Sequence, residues 1–100
     1  MAPRKEPAVE DIGLRPRDLL ATRLRLMRHD LGLREGLNHA LSTEEVGGRC
    51  GIVAATWRLW ESGVSQPRHA EPVLRHVART LGYSEKWLLK GGPLEVGDAA

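Results

Sequence analysis

Leu20, Leu24, Met27 and Leu31 recur at steps of four, three and four residues, and Gly32 follows them at once. That spacing lines one stripe of a helix with a period of 3.6 residues, whereas a half-buried strand would alternate. The same punctuation returns downstream. Val73, Leu74, Val77, Ala78 and Leu81 run at helical spacing into Gly82, and Trp87, Leu88 and Leu89 run into Gly91. Glycine just past the last periodic residue is a stop signal, because it accepts the left-handed conformation in which many helices end. No segment alternates over the length of a strand, so the chain reads as all-α.

The starts are as legible as the stops. Pro16 suits the first turn of the first helix, whose outer side then carries Arg17, Arg25 and Arg28. Ser42 and Glu45 have the spacing of a capping box, in which the hydroxyl takes one open N–H and the Glu returns to the cap's own amide. Val46 and Cys50 lie one turn apart on an inward face. Gly47 and Gly48 are poor helix formers, so a close helix contact is expected to require at least one of them. Gly51 breaks the chain, and a further helix is expected from Val53 to Ser62, stopped by Gly63. Pro72 fits the first turn of the fourth helix, and Ser84 caps the last. Leu33, Leu37 and Leu41 are spaced by four and suggest a short helical turn, although Gly36 interrupts it.

Residues 1–14, with Pro3, Pro7 and no sustained period, read as a flexible tail; 15–91 form the domain, and 92–100 read as a second flexible tail. At 100 residues there is room for one domain only. Hydrophobic residues at 41% suffice for a core, but aromatics are 4% with no Phe, so that core must be mainly aliphatic. Each Trp then needs a structural reason. Cys50 is the one cysteine, which excludes an internal disulfide and a cysteine-paired zinc site and points to a reducing compartment. No apolar run approaches a membrane helix or a signal-peptide core, so a cytoplasmic protein is expected. His29, His39, His69 and His76 are scattered, and no metal or cofactor is expected.

Net charge is only +2, but its distribution is uneven. Between Arg15 and Arg34 six arginines stand against Asp18 and Asp30, a local +4. Arginine suits bidentate contacts with phosphate or carboxylate, and coding bias would produce the same preference.

Residues 41–67 carry the functional signal. Leu41, Ser42, Glu44, Glu45, Val46, Gly51, Ile52, Thr56, Trp60, Glu61, Gly63 and Pro67 stand where the lambda-repressor-like family has its characteristic residues. The chain thus resembles the Cro and xenobiotic-response-element type of bacterial and phage transcription regulators. Arg23 to Arg28 is similar to the first helix of that family, and Val77-Ala78, Leu81 to Ser84 and Trp87 to Gly91 to its fourth and fifth. The resemblance implies a compact five-helix domain with a helix-turn-helix, binding double-stranded DNA as a homodimer. It also implies an ion pair between Arg28 and Glu61 that locks the first helix to the recognition helix.

Elementary geometry supports the same reading. A recognition helix must project across its partner to enter a major groove about 12 Å wide, and Gly51 supplies the permissive turn. Ile52 would then plug the angle between the helices. Val53, Trp57 and Trp60 share one face by helical spacing and are expected inward, the Trp side chains as core. The expected DNA-binding residues are Thr43, Val53, Ala54, Ala55, Arg58, Leu59, Ser62, Ser65, Gln66, Arg68 and Arg17. Among the base-reading positions only Arg58 can contact guanine bidentately, while the alanines can touch thymine methyls.

Several features depart from the family. Thr43 stands where a phosphate-binding Gln is common, Val53 replaces the usual Ser cap, Trp57 replaces a branched aliphatic, and extra residues follow Gly32. The segment from Thr43 to Glu61 is net negative, with Arg49 and Arg58 against Glu44, Glu45 and Glu61. A second reading is therefore a protein-interaction module on the same fold, an antitoxin or phage-encoded factor, which the apolar Val53, Ala54, Ala55 and Leu59 favour. An enzyme is not expected, for want of a nucleophile–base pair or phosphate loop. Candidates for a dimer surface are the last helix, with Trp87 and Leu88, and the Leu33 to Leu41 insertion.

Overall fold

Glycines and serines set most of the helix boundaries. The computed structural model describes residues 19–97, with helices α1 (Leu20–Arg34), α2 (Thr43–Cys50), α3 (Ala54–Ser62), α4 (Ala70–Leu81) and α5 (Glu85–Lys90). Among the described residues there is no strand; one isolated bridge pairs Tyr83 with Val96. Ser42 Oγ accepts the Glu45 N–H at 3.0 Å and Ser84 Oγ accepts the Trp87 N–H at 3.1 Å, each satisfying a donor that a helix start leaves open. The Glu45 carboxylate accepts from Arg49 Nε at 3.0 Å. Gly51, Gly63 and Gly82 close α2, α3 and α4 in the left-handed conformation.

The five helices enclose one core. Leu24, Met27 and Leu31 of α1 are buried with Val46 and Cys50 of α2, Trp57 and Trp60 of α3, and Leu74, Val77, Ala78 and Leu81 of α4. Trp87 and Leu88 of α5 join it, with Leu41 and Tyr83 from the connections. Trp57 and Trp60 pack with ring centroids 6.1 Å apart, consistent with the core role read from their spacing. No helix among the described residues is long and apolar enough to cross a membrane.

Three expectations change. Helix α1 continues past Gly32 to Arg34, because Gly32 serves another purpose: a Cβ there would lie 1.9 Å from the His39 carbonyl oxygen. The connection packs directly on the helix at this point. The Leu33 to Leu41 stretch forms no helix of its own beyond the end of α1. Gly36, at φ 82°, reverses the chain, and Leu37 and Leu41 donate their N–H groups to the Gly32 and Arg28 carbonyls at 2.8 and 3.1 Å. Leu41 thus reaches the core while Leu33 stays exposed. Finally, residues 92–97 are not a free tail. Ser84 N–H donates to Glu95 O at 2.9 Å, Gly97 N–H to Gly82 O at 3.0 Å, and Trp87 Nε1 to Gly92 O at 3.1 Å. Residues 1–14 and 98–100, also read as tails, lie outside the described residues.

Helix α1 is tied to α5 by polar contacts as well. Buried Arg23 donates from Nε to Leu88 O at 2.9 Å and from Nη2 to Leu89 O at 3.5 Å, satisfying carbonyls at the end of a six-residue helix. Tyr83 Oη donates to Asp30 at 2.5 Å, and the Arg34 guanidinium lies 5.0 Å from the centroid of the tyrosine ring. Burial and the Asp30 carboxylate together push the tyrosine pKa well up.

Candidate nucleic-acid interface

Between α2 and α3 the chain has three residues, Gly51 to Val53, in which to reverse. Gly51 takes φ 74° and Ile52 N–H donates back to Gly47 O at 2.8 Å. A Cβ on Gly47 would sit 2.4 Å from Ile52 O, whereas Gly48 faces open space, so Gly47 is the glycine that the close contact requires. Half-buried Ile52 packs against the core at the turn. His76 Nε2 of α4 lies 2.9 Å from the Cys50 carbonyl oxygen, tying the end of α2 to α4. Cys50 itself is buried, and burial pushes its thiol up to about 11.

Helix α3 is anchored through Trp57, Trp60 and Glu61. Arg28 grips Glu61 with two parallel bonds, Nε to Oε2 at 2.7 Å and Nη2 to Oε1 at 2.8 Å. Trp57 Nε1 donates to the same Oε2 at 2.6 Å, and Arg28 Nη1 donates to Leu41 O at 2.9 Å. Only 8% of the Glu61 side chain and 18% of the Arg28 side chain remain exposed. The carboxylate raises the Arg28 pKa, against the opposing effect of burial. One pair thus holds α1, α3 and the connection that leads into α2 in register. The bond from Trp57 was not read from the sequence, although a Trp four residues before a Glu on one helix is its signal.

The opposite side of α3 is open. Ala55, Arg58, Leu59 and Ser62 are exposed, and Ala54 is half-buried. Val53, expected inward, is 71% exposed. It precedes the helix in an extended conformation, at φ −61° and ψ 136°, so helical periodicity does not govern its side chain. Arg58 Nη1 donates to Thr43 Oγ1 at 2.9 Å and to Glu44 Oε2 at 3.2 Å, which brings half-buried Thr43 beside the arginine expected from the sequence to contact guanine. The clasp of Glu44 on Arg58 was not read from the sequence, because it joins two helices and has no local signature. Its own backbone amide and Arg58 hold its carboxyl below the usual range. Ser62 Oγ donates to Leu59 O at 2.9 Å and accepts from Val64 N–H at 3.3 Å, so its hydroxyl shapes the exit from the helix. Ser65, half-buried, donates its N–H to Leu59 O at 3.4 Å; Gln66 and Arg68 follow on the exposed connection to α4. Arg17 lies outside the described residues.

The arginine-rich segment has other partners. Arg23 bonds the end of α5, Arg28 holds Glu61, Arg34 pairs with Asp30 at 3.1 Å, and Arg25 Nη2 donates to Glu61 O at 3.1 Å. The four described arginines of the segment are therefore engaged within the fold rather than set out as a free cationic stripe. No family profile, curated protein or solved structure matches the chain. Among the described residues no group of three His, Cys, Asp or Glu side chains could hold a metal ion.

Proposed function

We propose that the chain is a sequence-specific, double-stranded DNA-binding transcriptional regulator, a repressor that acts as a dimer on an inverted repeat. In this reading the domain is lambda-repressor-like, α2 and α3 form its helix-turn-helix, and α3 enters the major groove. The observation that carries it is the division of α3: one side is fixed by Arg28, Glu61 and Trp57, while Ala55, Arg58 and Leu59 are presented outward. A helix with its side chains is about 10–12 Å across, which a groove about 12 Å wide admits. Arg58 would exchange Glu44 for a guanine edge, with Val53 and the alanines against thymine methyls and Thr43, Gln66 and Arg68 near phosphates. A single strong reader cannot supply the roughly 4–10 kcal/mol of discrimination typical of specific regulators, so two copies are required.

Titration against DNA from the chain's own upstream region and against random DNA, each at two salt concentrations, tests the reading. Preferential binding is expected, with log affinity falling against log salt at a slope of roughly −5 to −9. Arg58→Ala should relax preference at one position per half-site, whereas Arg68→Ala should weaken all sequences alike.

A protein-interaction module is the second reading, and exposed Val53, Leu59 and Val64 around α3 favour it. Equal binding to both DNAs with little salt dependence would decide for it.

A further inference from the structure

A helix leaves its last carbonyl groups open, and its aligned peptide dipoles add roughly half a negative charge at that end. Brought into a groove of DNA, such an end meets phosphates that it repels. A basic residue in the last turn offsets this in many helices, but α3 has none and carries the Glu61 carboxylate there instead. The compensation comes from α1. Arg28 meets the Glu61 carboxylate with two bonds, and Arg25 donates from Nη2 to the Glu61 carbonyl oxygen at 3.1 Å.

Arg25 is placed differently from the arginines around it. Arg34, Arg49, Arg58, Arg75 and Arg79 each lie directly against a carboxylate. The nearest carboxylate to Arg25 is that of Glu61, with Oε1 4.0 Å from its Nε, and both of those oxygens are already bonded by Arg28 and Trp57. Two guanidinium groups thus face one carboxylate, and a positive charge is left over at the end of α3. The Arg25 side chain is 53% exposed. Of its five N–H donors the carbonyl bond takes one, which holds the group in place and leaves others open to solvent. The connection that carries exposed Arg68 leaves α3 from the same end.

We infer that Arg25 binds a phosphate of double-stranded DNA and is the residue that lets the C-terminal end of α3 lie against the backbone. The inference rests on the regulator reading and adds to it a contact absent from the residues expected to bind DNA. Guanidinium N–H groups match phosphate oxygens in geometry, and a bond of this kind sets the register of α3 without reading sequence. In a dimer each copy contributes one such contact. Trp87 and Leu88, expected from the sequence at a dimer surface, are buried in the core and are not available to join the copies.

The salt dependence of binding tests the role of Arg25. Fluorescence anisotropy of the full chain with a duplex from its own upstream region and with a random duplex is followed from about 50 to about 200 mM salt. Arg25→Gln keeps a donor for the Glu61 carbonyl but removes the charge. It should flatten the slope of log affinity against log salt by about 0.9 per chain bound, and weaken both complexes by roughly five- to tenfold at 0.1 M salt. Arg25→Lys, which keeps the charge, should restore the slope. A residue that only fastened α3 would lower affinity with the slope unchanged, and that result overturns the inference. A loss confined to one base position overturns it too, by making Arg25 a base reader. Should Arg25→Gln melt early, the Arg25 Nε–H resonance of the unaltered chain replaces it: a shift on adding either duplex is expected, and its absence decides against the contact. A chain that binds neither duplex ends the regulator reading and this inference together. Binding with the expected slope, retained in Arg25→Gln, ends the inference alone.

Discussion

Helix α3 carries an arginine–glutamate contact on each of two opposite sides, and the two are built differently. On the inner side Glu61 is almost fully enclosed and receives both arms of Arg28 and the indole of Trp57, so both of its oxygens are held by fixed donors. On the outer side Arg58 meets Glu44 through one nitrogen in the open, with Thr43 as a second acceptor. Water and salt compete for the outer pair and not for the inner one. The same two residue types therefore serve as a structural lock on one side and as an exchangeable contact on the other. What separates them is enclosure and the number of bonds rather than charge.

The largest expected effect breaks the lock. Glu61→Ala leaves the Arg28 guanidinium enclosed without its partner and should cost about 3–5 kcal/mol in chemical unfolding. An unchanged midpoint would show that α1 and α3 are held by apolar packing alone. Trp57→Phe keeps most of the ring but removes the donor to Glu61, and a loss of about 1.5–3 kcal/mol is expected, the range of a hydrogen bond to a charged group.

Cys50 offers an intermediate case, enclosed but uncharged at neutral pH. Its thiol ionises at about 11 in the folded protein, against about 8.5 in an unfolded chain. The raised value means that stability is complete below about pH 8.5 and declines as the pH rises towards 11, because the unfolded state releases its proton first. Thermal melts from pH 7 to 10.5 should show that decline, and it should be smaller in Cys50→Ala. The raised pKa of Tyr83 adds to the loss in the same direction, so part of the decline survives in the variant.

The smallest effect on stability belongs to the outer pair. Arg58→Ala is expected to leave the melting midpoint where it is, because exposed ion pairs contribute little. If it melts with Glu61→Ala instead, the distinction between the two sides of α3 fails. Glu44→Gln should also leave stability unchanged, and on the proposed regulator reading it should strengthen DNA binding, since it removes both a competitor for Arg58 and a charge that repels phosphate.

Much of this contrast was legible beforehand. The serine caps at Ser42 and Ser84 and the stops at Gly51, Gly63 and Gly82 act locally, so a reader of the sequence meets their whole cause within four residues. The pairing of Arg28 with Glu61 came from resemblance, and the structure joins the two residues. What failed depended on tertiary approach. Gly32 looks like any helix stop until the His39 carbonyl is placed against it. Val53 follows helical spacing on paper, yet it stands one residue outside the helix. Arginines that cluster in sequence diverge in space, because successive positions on α1 point to α5, to α3 and to Tyr83. Residues 92–97 lack any periodic signal, and their order comes from backbone bonds to the segment that begins at Gly82.

The contact of Arg23 with Leu88 and Leu89 also bears on when this protein can acquire its shape. A six-residue helix is far too short to persist alone, and part of its carbonyl end is satisfied by a side chain made 65 residues earlier. On the ribosome α1 emerges long before its partner exists. Its buried guanidinium must wait in solvent while the intervening helices are synthesised, and the globule can close only after Leu89 has cleared the exit tunnel. The closing of α1 onto α5 is then a late event, which follows the synthesis of every helix between them.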